Sequence, residues 1–220
     1  MKKLLILTLA LVALSAFGGV AVAQQNGEVK IGANLQLPSK TPTLSCCECL
    51  GQVTTLNLNT GQSSPIDPIW SVNGNSAYTT PPYPGWVLPS LLTPAKWIQP
   101  VASPTPSNNV PVGDYKYTVK FNTPRCTIPG DVQLDVHFAA DNSATVLLDG
   151  SQIATTPCLT TCFKAPQAPV SFTATVSTAI SHTLVFVVHN EGGPSGLIVN
   201  AKLTRHCTKG NPGGPEKEQQ

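Results

Sequence analysis

Seven cysteines are the residues with the most chemistry to offer in this 220-residue chain. Three stand together at Cys46, Cys47 and Cys49, around Glu48, while Cys126, Cys158, Cys162 and Cys207 are spread further on. Thiolates this close could hold Zn²⁺ or Cu⁺, with Glu48 or a histidine completing the set, which would make the segment a metal-capture or thiol-exchange site. Outside the cytoplasm, however, cysteines ordinarily end as disulfides. We expect disulfides, because adjacent cysteines seldom both ligate one ion and a fourth ligand would have to be remote. Cys158 and Cys162 enclose only Leu159, Thr160 and Thr161 and could close a small loop at a strand end. Cys126 and Cys207 could pair with each other or with the 46–49 group. The odd count leaves one sulfur unpaired or joined to another chain, and the connectivity stays open. No C-x-x-C-H run is present, which excludes covalent haem.

Aromatic rings are the second resource, since an exposed Trp or Tyr face stacks on a sugar ring at low entropic cost. Tyr83 and Trp86 lie in the run TPPYPGW, where prolines stiffen the backbone and would pre-organise exposed rings, and Tyr78 lies just before it. These three are the candidate ligand-binding residues. Trp70 and Trp97 are expected in the core. Asp131, Asp135, Asp141 and Asp149 are dispersed, with no D-x-D-x-D run; a structural Ca²⁺ on loop carboxylates is the cofactor they could support, against plain Asx turns. A glycosidase needs two acids across a cleft, and these acids are expected in turns and on exposed strand faces. His137, His182, His189 and His206 are scattered and are expected at the surface or in turns. No G-x-S-x-G run is present to mark a serine nucleophile. No catalytic residues are assigned.

What positions these groups must be built from a chain with only 11% charged residues, 21 prolines and 17 glycines. So much proline argues against a helical bundle, and the aliphatic content is too high for a wholly disordered chain. A formal charge of +2 excludes the basic field that nucleic-acid binding needs. Residues 1–23 read as a secretory signal peptide: Lys2 and Lys3, an apolar run from Leu4 to Phe17, then Ala21-Val22-Ala23 as the cleavage site. The run is shorter than the roughly 20 residues of a membrane span. Cleavage would leave no membrane span and a formally neutral chain, secreted to the periplasm or beyond. Residues 24–44 read as an N-terminal arm, 45–207 as the folded domain, and 208–220 as a disordered tail without large apolar residues.

Inside the domain the dominant period is 2, the signature of strands with one buried face. Tyr115, Tyr117, Val119 and Phe121 alternate with Lys116, Thr118 and Lys120; Val132, Leu134, Val136 and Phe138 alternate with Gln133, Asp135 and His137. Asp141-Asn142-Ser143 reads as a turn, Ala144 to Leu148 as the return strand, and Asp149-Gly150 as a hairpin turn. His182 to His189 is almost all β-branched or aromatic and reads as a central strand covered on both faces. Leu197, Val199, Ala201 and Leu203 form the last strand. Ser103 to Pro111 and Glu191 to Gly196 read as loops. No stretch sustains a helical period, so the fold class is an all-β antiparallel sandwich.

The runs PIDPIW (65–70), KWI (96–98), GDYKYTVKF (113–121), FAADNSATVLLDG (138–150) and HTLVFVVHNEGGPSGLIVNAKL (182–203) carry a resemblance. Together they resemble secreted bacterial galactose-binding-like domains, jelly-roll β-sandwiches like those of carbohydrate-binding modules. The resemblance implies a jelly roll over about Ile66 to Leu203. It implies no single function, since that fold hosts sugar binders, adhesion modules and structural domains. The expectation is a non-catalytic secreted binding module for glycans at a cell surface or matrix. The alternatives are a disulfide-stabilised assembly component, partnered by another extracellular protein through an intermolecular disulfide, and metal capture through Cys46, Cys47 and Cys49.

Overall fold

The computed structural model describes residues 41–46, 52–103, 105–127 and 129–207. The signal segment, residues 24–40 of the arm, Cys47, Cys49 and the 208–220 tail lie outside the described residues. Eleven strands and one 3₁₀ turn are found among those described: β1 (Val53–Asn57), β2 (Ile66–Val72), β3 (Asn75–Thr79), η1 (Pro89–Leu92), β4 (Ile98–Gln99), β5 (Gly113–Asn122), β6 (Val132–Asp141), β7 (Ser143–Leu148), β8 (Ser151–Thr155), β9 (Val170–Thr175), β10 (Ser181–Asn190) and β11 (Gly196–His206). Every pairing between them is antiparallel. The hydrogen-bonded order is β8-β7-β10-β5-β2-β3-β4-β11-β6-β9, with β1 alongside β11.

That path folds over on itself into two layers. Alternate residues of β5 and β10 (Tyr117, Val119, Phe121; Leu184, Phe186, Val188) are buried against alternate residues of β6 and β11 (Leu134, Val136, Phe138; Val199, Ala201, Leu203). Phe138 and Phe186 meet edge-on at 5.0 Å between centroids although their strands are not hydrogen-bonded neighbours. The faces therefore belong to two packed sheets, an all-β antiparallel jelly-roll sandwich. Each buried Leu or Phe contributes about 1.5–3 kcal/mol, so this alternation is the main stabilising term. The outer strands β8 and β9 are short and rich in Ser and Thr, which discourages edge-to-edge association.

The turns follow from local chemistry. Asp149 (φ 51°) and Gly150 (φ 83°) join β7 to β8, and Asn73 (φ 49°) and Gly74 (φ 77°) join β2 to β3. Both are two-residue connections with two left-handed residues, the twist that hairpins favour. Two expectations need correction. Asp141-Asn142-Ser143 is a tight connection, but β7 does not return beside β6; it crosses to the other layer and pairs with β10. Nor is β10 covered on both faces. It is central, between β5 and β7, yet Thr183, Val185 and Val187 are only half-buried and His189 is exposed. β-branched residues at such positions fit a pleated surface without needing a second cover.

One outer face does have a cover. Ala139 of β6 and Ile198 of β11 point away from the main core, and the chain from Tyr83 to Trp97 folds over them. Trp86, Val87, Leu92, Ala95 and Trp97 close a second, smaller apolar cluster there. Two disulfides are described, Cys46–Cys126 and Cys158–Cys162, and Cys207 is also disulfide-bonded.

Candidate functional site

The same covering segment forms one wall of an open cleft of ≈ 790 Å³. Tyr78 and Thr79 reach it from the end of β3, Pro65 from just before β2, Pro81 and Pro82 from the run that leads into the cover, and Pro89 from the cover. Lys96 of the cover, with Ala102 and Ser103, completes the lining. The surface is mostly carbon, contributed by the tyrosine ring and the prolines, bordered by hydroxyls and by the exposed Lys96 ammonium.

Buried polar groups hold this wall in place. Asp67 accepts backbone N–H bonds from Gly61, from Ile69 at 2.9 Å and from Trp70 at 2.8 Å, so one carboxylate organises the approach to β2. Burial raises its pKa, and those N–H groups oppose the rise. Gly61 sits against Lys96, where an added Cβ would lie 2.5 Å from the lysine Cβ. Thr60 Oγ1 donates to the Lys96 carbonyl at 2.7 Å, and Lys96 N donates back to Thr60 O at 3.0 Å. The buried Gln99 donates to Ser103 O and Thr105 O and accepts from Ser107 N, which pins the proline-rich loop at the far side. Thr79 N donates to Pro65 O at 2.9 Å, closing the near side.

The candidate rings are placed differently from one another. Tyr78 is half-buried and lines the cleft. Tyr83 is half-buried against Trp86, with centroids 6.1 Å apart. Trp86 is not the exposed ring that its proline-rich surroundings predict: it is 4% exposed, stacks on Trp97 at 4.1 Å, and donates Nε1–H to Asp141 at 2.7 Å. The apolar outer face of β6 and β11 has to be covered, and the largest side chain of the loop is drawn onto it. Trp70 and Trp97 are core residues, each with its indole N–H bonded to a carbonyl, Leu58 O and Val87 O.

Two of the acids pair with two of the histidines, and most of the others hold other partners. Asp149 accepts from His182 Nδ1 at 2.8 Å, and His182, expected at the surface, is fully buried beneath Phe121 with Nε2 facing Ala179 O and Thr123 Oγ1. His189 and Asp114 pair at 2.8 Å on the exposed face of β10 and β5. His137 contacts Ser171, and His206 is exposed on β11. Asp131 lies 3.4 Å from the buried Arg205, and Asp135 accepts from Thr173. Asp141, expected on an exposed turn, is buried beneath Trp86; burial raises its pKa to about 6, opposed by the indole bond. Among the described residues no three His, Cys, Asp or Glu side chains gather as metal ligands. Cys46 is bonded to Cys126, so it offers no thiolate while that bond stands.

Asp67, Gln99 and Lys96 are not among the site residues that the sequence marks, although Asp67 and Lys96 lie in the PIDPIW and KWI runs. Asp67 had a readable signal, an acid inside the otherwise apolar, proline-flanked run PIDPIW. Gln99 had none beyond its position after two apolar residues. Lys96 becomes notable only once β3 and the covering segment meet.

No protein-family model matches the chain, and no curated protein matches it in sequence. Among solved structures it is similar to a family 35 carbohydrate binding module from Clostridium thermocellum, at 8% identity and TM-score 0.39, over 67% of this chain and 96% of that one. The CBM36-1 domain of a multidomain xylanase from the hindgut metagenome of Trinervitermes trinervoides is similar at 8% identity and TM-score 0.33, over 68% and 95%. A beta-glucuronidase of an uncultured Clostridium sp. is similar at 15% identity and TM-score 0.37, over 70% of this chain but 29% of that enzyme.

Proposed function

We propose that the chain is a secreted, non-catalytic binding module that seats a sugar of a cell-surface or matrix glycan in the cleft beside Tyr78. The observation that carries this reading is the cleft's make-up: a tyrosine ring and four prolines form a rigid carbon surface, and serine and threonine hydroxyls border it. A pyranose has the matching division, with C–H faces to lie on the ring and hydroxyls to bond at the rim. The prolines and the Gln99 bonds fix the wall before any ligand arrives, which lowers the ordering cost of binding. Tyr83 supports the wall from behind in this reading, and Trp86 acts through packing.

A glycan array probed with the full mature chain, followed by titration of the best hit, tests the proposal. Tyr78→Ala is expected to weaken that hit about tenfold, near the upper end of the roughly 0.5–1.5 kcal/mol that a ring contact adds. Binding by the parent chain that survives Tyr78→Ala unchanged would remove the site. An array without signal would remove the function.

A further inference from the structure

A second cleft, of ≈ 230 Å³, opens beside β5, β7 and β10, and Cys158 of the Cys158–Cys162 disulfide lines it. Asp114, His189 and Ser143 form one row across β5, β10 and β7, because His189 is in register with Asp114 on one side and with Ser143 on the other. All three line the cleft with Cys158 and Leu159. Asp114 Oδ1 holds His189 Nδ1 at 2.8 Å, which fixes the ring; Nε2 has no partner among the described residues. The imidazole and the carboxylate are half or more exposed, so solutes reach them.

The two cysteines are unequal. Cys162 is fully buried, while Cys158 is only half-buried and lines the cleft. The loop between them is anchored to the same corner as the histidine. Asn142 Nδ2 donates to Thr160 O at 3.0 Å, Cys162 N donates to Asn142 O at 3.0 Å, and Asn142 N donates to His189 O at 2.8 Å. Leu159, 80% exposed, forms an apolar lip beside Cys158. A partly exposed cysteine, a fully buried second cysteine four residues on, and an oriented histidine in one cleft are the parts that thiol–disulfide exchange uses.

We propose that Cys158–Cys162 is an exchangeable disulfide that accepts two electrons from thiols, with His189 as its proton acceptor and Asp114 as the residue that positions His189. A thiol RSH enters the cleft and gives its proton to His189 Nε2. The thiolate attacks Cys158 Sγ, the S–S bond breaks, and its electron pair leaves on Cys162 Sγ, which takes up a proton. A second thiol, deprotonated in the same way, attacks the RS sulfur of the mixed disulfide and releases RSSR with Cys158 as the thiol. Two thiols are thereby oxidised to one disulfide, and the protein disulfide is reduced to two thiols.

Glutathione and a cysteine-bearing peptide, each added to the full mature chain, are the probes. Adducts are mapped by peptide mass spectrometry after acid quenching. The adduct is expected on Cys158 and not on Cys162, with faster reaction of one probe separating a small-molecule partner from a protein one. His189→Gln is expected to slow adduct formation at Cys158 about tenfold, the lower range of a positioned base, and to leave the rate at exposed Cys46 unchanged. Asp114→Asn should give a smaller loss and a changed pH profile at Cys158 alone. Reaction at Cys46 with none at Cys158, or a Cys158 rate indifferent to His189→Gln, would overturn the proposal.

Discussion

Asp141 carries an electrostatic cost of folding. The residue is 3% exposed beneath the Trp86 indole, and burial lifts its pKa from 3.8 to about 6 despite the 2.7 Å bond from Trp86 Nε1. Because the folded value stands above the unfolded one, the group's contribution to stability is intact below about 3.8 and is lost as pH rises through about 6. The span corresponds to roughly 3 kcal/mol as an upper figure. Asp141→Asn keeps an oxygen to accept from the indole and removes the charge. It is expected to stabilise the fold by roughly 2–3 kcal/mol near pH 8, with the advantage fading towards about pH 4. Urea unfolding of both proteins across that range decides the matter, and a pH-independent difference would mean that packing, not charge, governs the site. None of this was readable from the run AADNSA, where Asp141 looks like an ordinary turn acid. The burial is created by Trp86, 55 residues earlier in the chain.

At the scale of elements, legibility followed burial contrast. β5, β6, β7, β10 and β11 each place one face in the main core, so most of their side chains alternate and the strands were apparent. But β6 runs on to Asp141 and β11 to His206, beyond the alternating stretches, where the covered outer face buries Ala139 and Ile198 as well. β1, β8 and β9 lie outermost and expose much of both faces, so Thr, Ser and Gln blur their period. β2 contains Pro68 and is irregular against β3 between Ile66 and Ser71, which breaks the alternation at the point where Asp67 turns inward. The Asn73-Gly74 hairpin was available as a turn signal and identifies β3, hence the strand that carries Tyr78. The covering segment was the least legible part, because its partner is a distant sheet face. Gly196 shows the dependence most sharply. A Cβ there would lie 2.7 Å from Trp86 Cη2 and 3.0 Å from Ile98 O. The carbonyl cannot retreat without disturbing the pairing of Ile98 with Leu197. Gly196→Ala is therefore expected to cost about 1–3 kcal/mol by overpacking and to shift tryptophan fluorescence as the Trp86–Trp97 stack opens. An unchanged unfolding midpoint with an unchanged spectrum would show that the cover adapts more freely than its contacts suggest.

At the scale of the whole molecule, scarcity of charge and abundance of cysteine describe one design. The sandwich fills its inner faces with aliphatic and aromatic side chains and dresses its outer faces largely with Thr and Ser, so it needs few ions. What it lacks in ionic surface it offsets with covalent closure. Cys46–Cys126 joins residues 80 apart in sequence, fastening the segment before β1 to the connection between β5 and β6. Pro42 O and Leu44 N meanwhile bond the backbone of Asn122. Arg205 of β11 seals this corner, with Nη2 bonded to Cys126 O and lying 3.4 Å from Asp131. A loop of that length restricts the unfolded chain strongly, and losing its cross-link typically costs about 2–4 kcal/mol. Such a bond forms only where the surroundings oxidise it, which ties the stability of the fold to the export that residues 1–23 lead us to propose. The chain recovered from the exported fraction should begin at Gln24 by intact mass and yield a Cys46–Cys126 peptide in a non-reducing digest. Cys46→Ser with Cys126→Ser should still form the sandwich but unfold at a denaturant concentration lower by the equivalent of about 2–4 kcal/mol. A chain that retains Met1 to Ala23 would defeat the export reading, and a double variant as stable as the parent would show that the Arg205 corner holds without its cross-link.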